Sequence, residues 1–320
     1  MQRILQPGEI ESLDRIEFPR VRLPQPAVLF TERAARLRQK ADGHPIADYL
    51  RFLAALVDLQ AQAASTVVTR PVAEAVIAQS LDHGMPVLPA PLRPDPAWLG
   101  VLRQLLAGVL ALQDLPQALR QNAQALAARG DAELEALAQA FLTDHATPAE
   151  LAAQPLVMAA LQVVYADIAS RLDTQRIAYV DPASICPVCG NAPVVSVLRI
   201  GGEAGGHRYL HCGLCATEWH MVRVKCSHCE STKGVRYQGI EGGDPAVLAE
   251  TCDTCHTYRK QVNQEKDPLV EPLADDLASL TLDLLMGETR FQRASPNPLL
   301  FVAVAEPQQG DDAALPPDLS

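Results

Sequence analysis

The sequence predicts a multi-domain chain of α plus small β: an N-terminal α-helical domain, two tandem four-cysteine metal-binding modules, and a C-terminal helix. Three observations carry that prediction. Apolar residues before about residue 180 recur at helical spacing. All eight cysteines of the 320-residue chain fall in the stretch from Cys186 to Cys255, as four Cys-x-x-Cys pairs. Those pairs repeat, because Cys186, Cys189, Cys212 and Cys215 return 40 positions later as Cys226, Cys229, Cys252 and Cys255.

The length has room for two domains, and a composition 48% hydrophobic is that of a soluble globular protein. A net charge of −11 weighs against a nucleic-acid binder that works by phosphate neutralisation. The start, Met1-Gln-Arg-Ile-Leu-Gln-Pro-Gly-Glu, lacks an apolar signal core, and no run of about 18 apolar residues suggests a transmembrane segment. The expected location is cytoplasmic. There, Cys-x-x-Cys pairs ligate metal or do redox chemistry rather than forming structural disulfides.

Residues 1–30, punctuated by Pro7, Pro19, Pro24 and Pro26, read as an extended N-terminal arm or a loose terminus. The helical domain is expected over 31–178. Ile46, Tyr49, Leu50, Leu53, Leu56 and Val57 form one apolar stripe after the Gly43-His44-Pro45 break. A helix after Pro71 should stop at Gly84, and five prolines make 85–96 a loop. Asp95-Pro96 looks like a cap and first turn for Trp98, Leu102, Leu105, Leu106 and Val109. Pro116 opens a segment ended by Gly130, Asp131 starts the next, and Thr147-Pro-Ala-Glu150 has capping-box spacing. Helix then runs to about Arg176 with a break near Pro155. His44, His83 and His145 are isolated and read as structural or exposed; the domain shows no catalytic constellation.

Past Tyr179 the pattern turns β-prone, in Val194–Ile200 and Val235–Ile240, with Gly201-Gly202 and Gly242-Gly243 as turns. The double four-cysteine module is expected over 179–265, its repeats being 186–215 and 226–255. One helix should follow from Pro272 to Phe291, with Leu273, Leu277, Leu280, Leu284 and Leu285 on one face, inside a C-terminal segment 266–304. Residues 305–320 read as a disordered acidic tail.

A four-sulfur site needs deprotonated thiolates about 2.3 Å from the ion in a tetrahedron. Two residues between cysteines let one tight turn supply two sulfurs, and Gly190 suits such a turn. The 22 residues separating the pairs within each half fit a hairpin that brings the second turn opposite the first. The metal ligands are therefore Cys186, Cys189, Cys212 and Cys215 for one ion, and Cys226, Cys229, Cys252 and Cys255 for another. Pairing within each repeat is favoured over sites shared between halves. A dithiol redox site would need one such pair opening a helix, and that context is missing. The donor set suits zinc or mononuclear iron without separating them.

Between Asp181 and Glu265 the side chains carry a net charge of −1, and eight thiolates with two divalent ions take the module to about −5. That favours a protein partner over nucleic acid. His207, His211, His220, His228 and His256 crowd the module as neighbours of the ligands or interface groups. Trp219-His-Met-Val-Arg223 reads as a packed linker strand or, in the functional alternative, a recognition surface.

The strings Cys186-Pro-Val-Cys-Gly, Tyr209-Leu-His-Cys-Gly-Leu-Cys-Ala-Thr-Glu-Trp-His and Arg223-Val-Lys-Cys-Ser-His-Cys resemble the formate dehydrogenase accessory protein FdhE family. The resemblance extends to Gln264-Glu-Lys-Asp, Ala274-Asp-Asp-Leu-Ala-Ser-Leu and Ser295-Pro-Asn-Pro-Leu-Leu-Phe, and more weakly to Arg33-Ala-Ala-Arg-Leu-Arg and Tyr49-Leu-Arg-Phe. It implies a cytoplasmic maturation factor, not an enzyme, that acts on the catalytic selenomolybdoenzyme subunit of formate dehydrogenase before or during assembly and export. It also implies rubredoxin-like iron centres in the C-terminal part. Two rivals remain: a rubredoxin-like redox protein cycling Fe(III)/Fe(II), and a zinc-ribbon nucleic-acid binder. The helical domain and its groove against the ribbons are the expected partner surface, and a boundary near 180 predicts that loss of Cys186 and Cys189 leaves the helices folded.

Overall fold

The computed structural model describes residues 18–89 and 93–301; the start of the arm and the 305–320 tail lie outside them. The arm is not wholly loose. Val21–Arg22 forms strand β1, and helix α1, Pro26–Ala41, starts earlier than position 31 because Pro26 sits in its first turn, where no N–H is needed. Helices α2 (Ala47–Ala64), α3 (Glu74–His83), α4 (Ala97–Leu110), α5 (Gln117–Ala127) and α6 (Asp131–Leu142) follow. Gly84 ends α3 in left-handed geometry, and Asp95 Oδ1 accepts from Ala97 N at 2.9 Å to open α4.

The Thr147 signal is real but opens a 3-10 turn, Pro148–Ala153, with Glu150 Oε2 accepting from Thr147 N at 2.8 Å. Helix α7, Gln154–Ser170, then runs through the centre of the domain. It is apolar on all sides, and its neighbours α2 and α4 cover it. The segment Pro148–Ser170 is long and apolar enough to cross a membrane, yet 78% of its most apolar 18-residue stretch is buried inside this structure. The expected continuation to Arg176 is instead a separate 3-10 turn, Thr174–Arg176, opened by the Asp173 side chain.

The two modules are fused more tightly than their repeat suggests. Strands β2 (Pro193–Leu198), β3 (Arg208–Cys212) and β4 (Glu218–His220) belong to the first, and β5 (Val235–Gln238), β6 (Val247–Cys252) and β7 (Thr257–Asn263) to the second. Among the described residues they form one sheet in the order β1-β4-β3-β2-β7-β6-β5, and β8 (Gln292–Arg293) pairs with β7. The joint is the parallel pair β2–β7, with Val195 opposite Lys260 and Val197 opposite Val262. Arg208, fully buried, reinforces it by pairing with Glu250 of the other module and donating to the carbonyls of Val222 (2.8 Å) and Lys225 (2.6 Å).

The single C-terminal helix expected over Pro272–Phe291 is two helices, α8 (Pro272–Leu277) and α9 (Leu280–Gly287). The buried ammonium of Lys260 lies at the break, donating to the carbonyls of Asp276 (2.7 Å) and Ser279 (3.1 Å). The apolar stripe is divided accordingly. Leu273 and Leu277 are buried, whereas Leu284 is 74% and Leu285 44% exposed.

Candidate metal centres

Each Cys-x-x-Cys pair occupies a tight turn of one geometry. The residue after the second cysteine is left-handed in all four: Gly190 (φ 76°), Ala216 (φ 56°), Glu230 (φ 58°) and His256 (φ 55°). Its N–H closes the turn on the first cysteine's carbonyl, Gly190 to Cys186 at 2.9 Å, Ala216 to Cys212 at 3.2 Å, Glu230 to Cys226 at 3.1 Å and His256 to Cys252 at 2.9 Å. Only Gly190 was conspicuous in the sequence. The other three accept a conformation that costs an L-residue roughly 1–2 kcal/mol, so the turns are held by what surrounds them.

The hairpins β2–β3 and β5–β6 carry the second turn of each module opposite the first. The eight sulfurs gather as two groups, Cys186/Cys189/Cys212/Cys215 and Cys226/Cys229/Cys252/Cys255, within 4.8 Å of one another in each. Thiolates about 2.3 Å from a tetrahedral ion stand about 3.8 Å apart. Cys226–Cys255 and Cys229–Cys252 are each 3.8 Å apart, and Cys186–Cys215 and Cys189–Cys212 are 3.5 and 3.3 Å apart. The geometry fits one divalent ion per group, with each ion drawing on one repeat alone.

Hydrogen bonds support the sulfurs as anions. Leu214 N and Cys215 N donate to Cys212 Sγ at 3.4 and 3.5 Å, and His228 N donates to Cys226 Sγ at 3.4 Å. Thr217 Oγ1 stands 3.2 Å from Cys215 Sγ and Thr257 Oγ1 3.1 Å from Cys255 Sγ, the same contact in both modules. The signal was present in the sequence, because each fourth cysteine is followed two positions later by threonine. Burial pushes the Cys186, Cys215 and Cys226 thiols up. Burial works the same way on Cys252, but the N–H groups of Cys255 and Thr254 bring it down to about 7. A bound cation replaces the protons that such a crowded set of thiols would otherwise hold.

The two groups differ in surroundings. Cys186, Cys189, Cys212 and Cys215 belong to the same apolar cluster as the helices. The proline loop lies on the first turn, with Leu88 N donating to Val188 O at 2.7 Å and Val87 N to Pro187 O at 3.3 Å. Buried glutamines complete the contact, Gln60 Nε2 donating to Gln162 Oε1 (2.9 Å) and Gln162 Nε2 to Gly213 O (2.7 Å). Gly213 has no room for a side chain, since a Cβ there would lie 2.4 Å from Val194 Cγ2. Packing therefore continues across residue 180. In the second group Cys229 is exposed and Cys255 partly so.

The histidines disperse. His211 Nδ1 lies 3.2 Å from Glu218, whose carboxylate Arg22 and Arg199 also hold. His207 stacks on Phe18, His220 packs against the same ring at a tilt, and His44 Nε2 meets Ala278 O at 2.9 Å. His83 and His145 are exposed, as are His228 and His256 beside the second group. Trp219 is a packed strand residue opposite Val21, its Nε1 donating to Ala183 O at 2.8 Å, so the Trp219–Arg223 string does not present that ring to a partner.

A cavity of about 940 Å³ lies between β1, α1, the first module and the 264–272 segment. Val28, Leu29, Leu269 and Val270 give it apolar wall, and Glu32, Arg199 and Glu271 supply charge.

Comparison with known proteins places these features in a family. The family models described as "FdhE, N-terminal", "FdhE, central domain" and "FdhE, C-terminal domain" match residues 18–181, 185–223 and 224–300. A "Protein FdhE homolog" of Cronobacter sakazakii is 38% identical over 310 residues, 95% of this chain and 99% of the relative. A "Protein FdhE" of Salmonella dublin is 39% identical over 303 residues, 93% and 96% of the two chains. The crystal structure of the FdhE protein from Pseudomonas aeruginosa matches with a TM-score of 0.78 at 37% identity, covering 88% of this chain and 99% of that one.

Proposed function

The chain belongs to the FdhE family, and on that premise we propose that it is a cytoplasmic accessory factor for formate dehydrogenase maturation. In this reading it is not an enzyme: it binds the catalytic subunit of formate dehydrogenase and holds two metal ions on its eight cysteines. The observation that carries the reading is the large, partly apolar cavity where helical domain and first module meet. It is open enough for an extended segment of a protein partner and is bordered by Val28 and Leu269, 44% and 64% exposed. The buried charged groups favour a scaffold over a catalyst, because Arg208 is bound to Glu250 and Lys260 to Asp276 and Asp283.

We assign iron to both four-sulfur groups on the family resemblance, and the donor set alone would equally take zinc. Bound iron of this type supplies one-electron chemistry, and the exposed edge of the second group favours the rubredoxin-like alternative as the rival reading. Capture of the catalytic subunit on the tagged protein, under anaerobic and reducing conditions, tests the main reading. Val28→Asp with Leu269→Asp should abolish capture with both metals retained. No capture by the unaltered protein would overturn the partner assignment.

A further inference from the structure

Resting on the reading that both groups hold metal, we infer that only the second is an exchange centre. Its ion enters and leaves through the face formed by Cys229, Cys255, His228 and His256, while the first group keeps its ion as part of the core.

Replacing a thiolate-bound ion requires a competing ligand or ion to reach the metal–sulfur bonds. In the first group the four cysteines are 0–1% exposed and lie in the helical core, under the backbone of Val87 and Leu88 and beside the Gln162–Gly213 contact. Access there demands opening of the core, which is among the costliest local openings in a folded protein. In the second group Cys226 and Cys252 are buried, but Cys229 is exposed and Cys255 partly accessible. The residues beside these two, His228, Thr254 and His256, are themselves exposed.

The internal repeat shows the same division in chemistry. The positions equivalent to His228 and His256 in the first module are Val188 and Ala216. Val188 is fully buried and Ala216 nearly so. Both imidazoles therefore stand only where solvent reaches the sulfurs, one immediately before Cys229 and the other immediately after Cys255. Neutral imidazole is a common ligand for zinc and iron, so these two side chains can share an ion in transit as thiolates are released one at a time. The exchange is ligand substitution: four thiolates pass from one divalent ion to another, with no electrons transferred and no net proton change.

The test uses the full chain loaded with zinc, its stoichiometry fixed by native mass spectrometry, then challenged with excess isotopically labelled zinc. We expect two equivalents, one replaced at least tenfold faster than the other. Brief alkylation after EDTA treatment should label Cys229 and Cys255 ahead of Cys186 and Cys189. His228→Val with His256→Ala, the residues of the first module, should slow the fast phase several-fold and leave the stoichiometry at two. Two equivalents exchanging at one rate, or first labelling at Cys186 and Cys189, would overturn the inference. A fast phase untouched by the histidine substitutions would overturn the entry path. Fewer than two equivalents at the outset would instead strike the two-metal reading beneath it.

Discussion

The Arg36 guanidinium grips both carboxylate oxygens of Asp275, Nε to Oδ2 at 2.8 Å and Nη2 to Oδ1 at 2.7 Å, across 239 residues of chain. Nη2 also reaches Asp267 at 2.5 Å, and one turn earlier Arg33 pairs with Glu271 at 2.9 Å. These pairs join α1 to the segment that closes the C-terminal half. They turn motifs remote in sequence, Arg33-Ala-Ala-Arg36 and Ala274-Asp-Asp-Leu277, into one buried seam.

Removing Arg36 leaves the buried Asp275 carboxylate with Lys40 as its remaining cation, Nζ to Oδ1 at 3.2 Å. Arg36→Met should lower stability by up to about 3 kcal/mol, the low end for a broken buried pair, read as a lower urea midpoint at unchanged m-value. Arg36→Met with Asp275→Leu should recover a large part of the loss. A single variant as stable as the parent would show that the pair does not hold the seam.

Acid should open the same region. Asp276 is buried between Lys260 and Arg293, and although burial alone would raise it, those cations hold it below the ordinary carboxylate value. Arg199 does the same for buried Glu218 against burial. A carboxylate depressed on folding stabilises the protein above its unfolded value, near 4, and loses that contribution as pH falls through the folded value. Stability should thus be level above about pH 5 and fall below about pH 4. Asp276→Asn should be less stable at neutral pH and show a shallower acid slope. Stability rising on acidification would contradict the assignment.

The left-handed turn residues make a prediction of opposite signs. Glu230→Gly should stabilise by about 1 kcal/mol, and Gly190→Ala should destabilise by at least about that much. Thermal midpoints measured on metal-loaded protein separate the two.

Loss of the first group should reach the helices. Cys212→Ser should remove one metal equivalent and lower the midpoint followed by helical circular dichroism. Cys229→Ser should leave that midpoint nearly unchanged. This reverses the expectation from sequence that the helices survive loss of Cys186 and Cys189, because those cysteines pack in the helical core.

Local signals were the legible ones. The repeated cysteines specified both sulfur groups, and Gly84 and Asp95 marked helix ends through short-range caps. What escaped reading was set by distant partners. The β2–β7 joint aligns Val195 with Lys260 through a parallel pairing that no turn encodes. Lys260 carries no local mark in the sequence, yet its buried ammonium donates to the carbonyls of Asp276 and Ser279 where α8 gives way to α9. The Val21–Trp219 pairing likewise drew part of a proline-rich arm into the sheet.

Whether the two sulfur groups bind metal independently is read from the metal content of the purified protein, with its visible spectrum, before and after Cys226→Ser with Cys229→Ser. Two metal atoms per chain should fall to one, with the absorption of a four-sulfur iron site if the ion is iron. Loss of both atoms in that variant, or a parent protein with one atom or none, would contradict two self-contained sulfur sites.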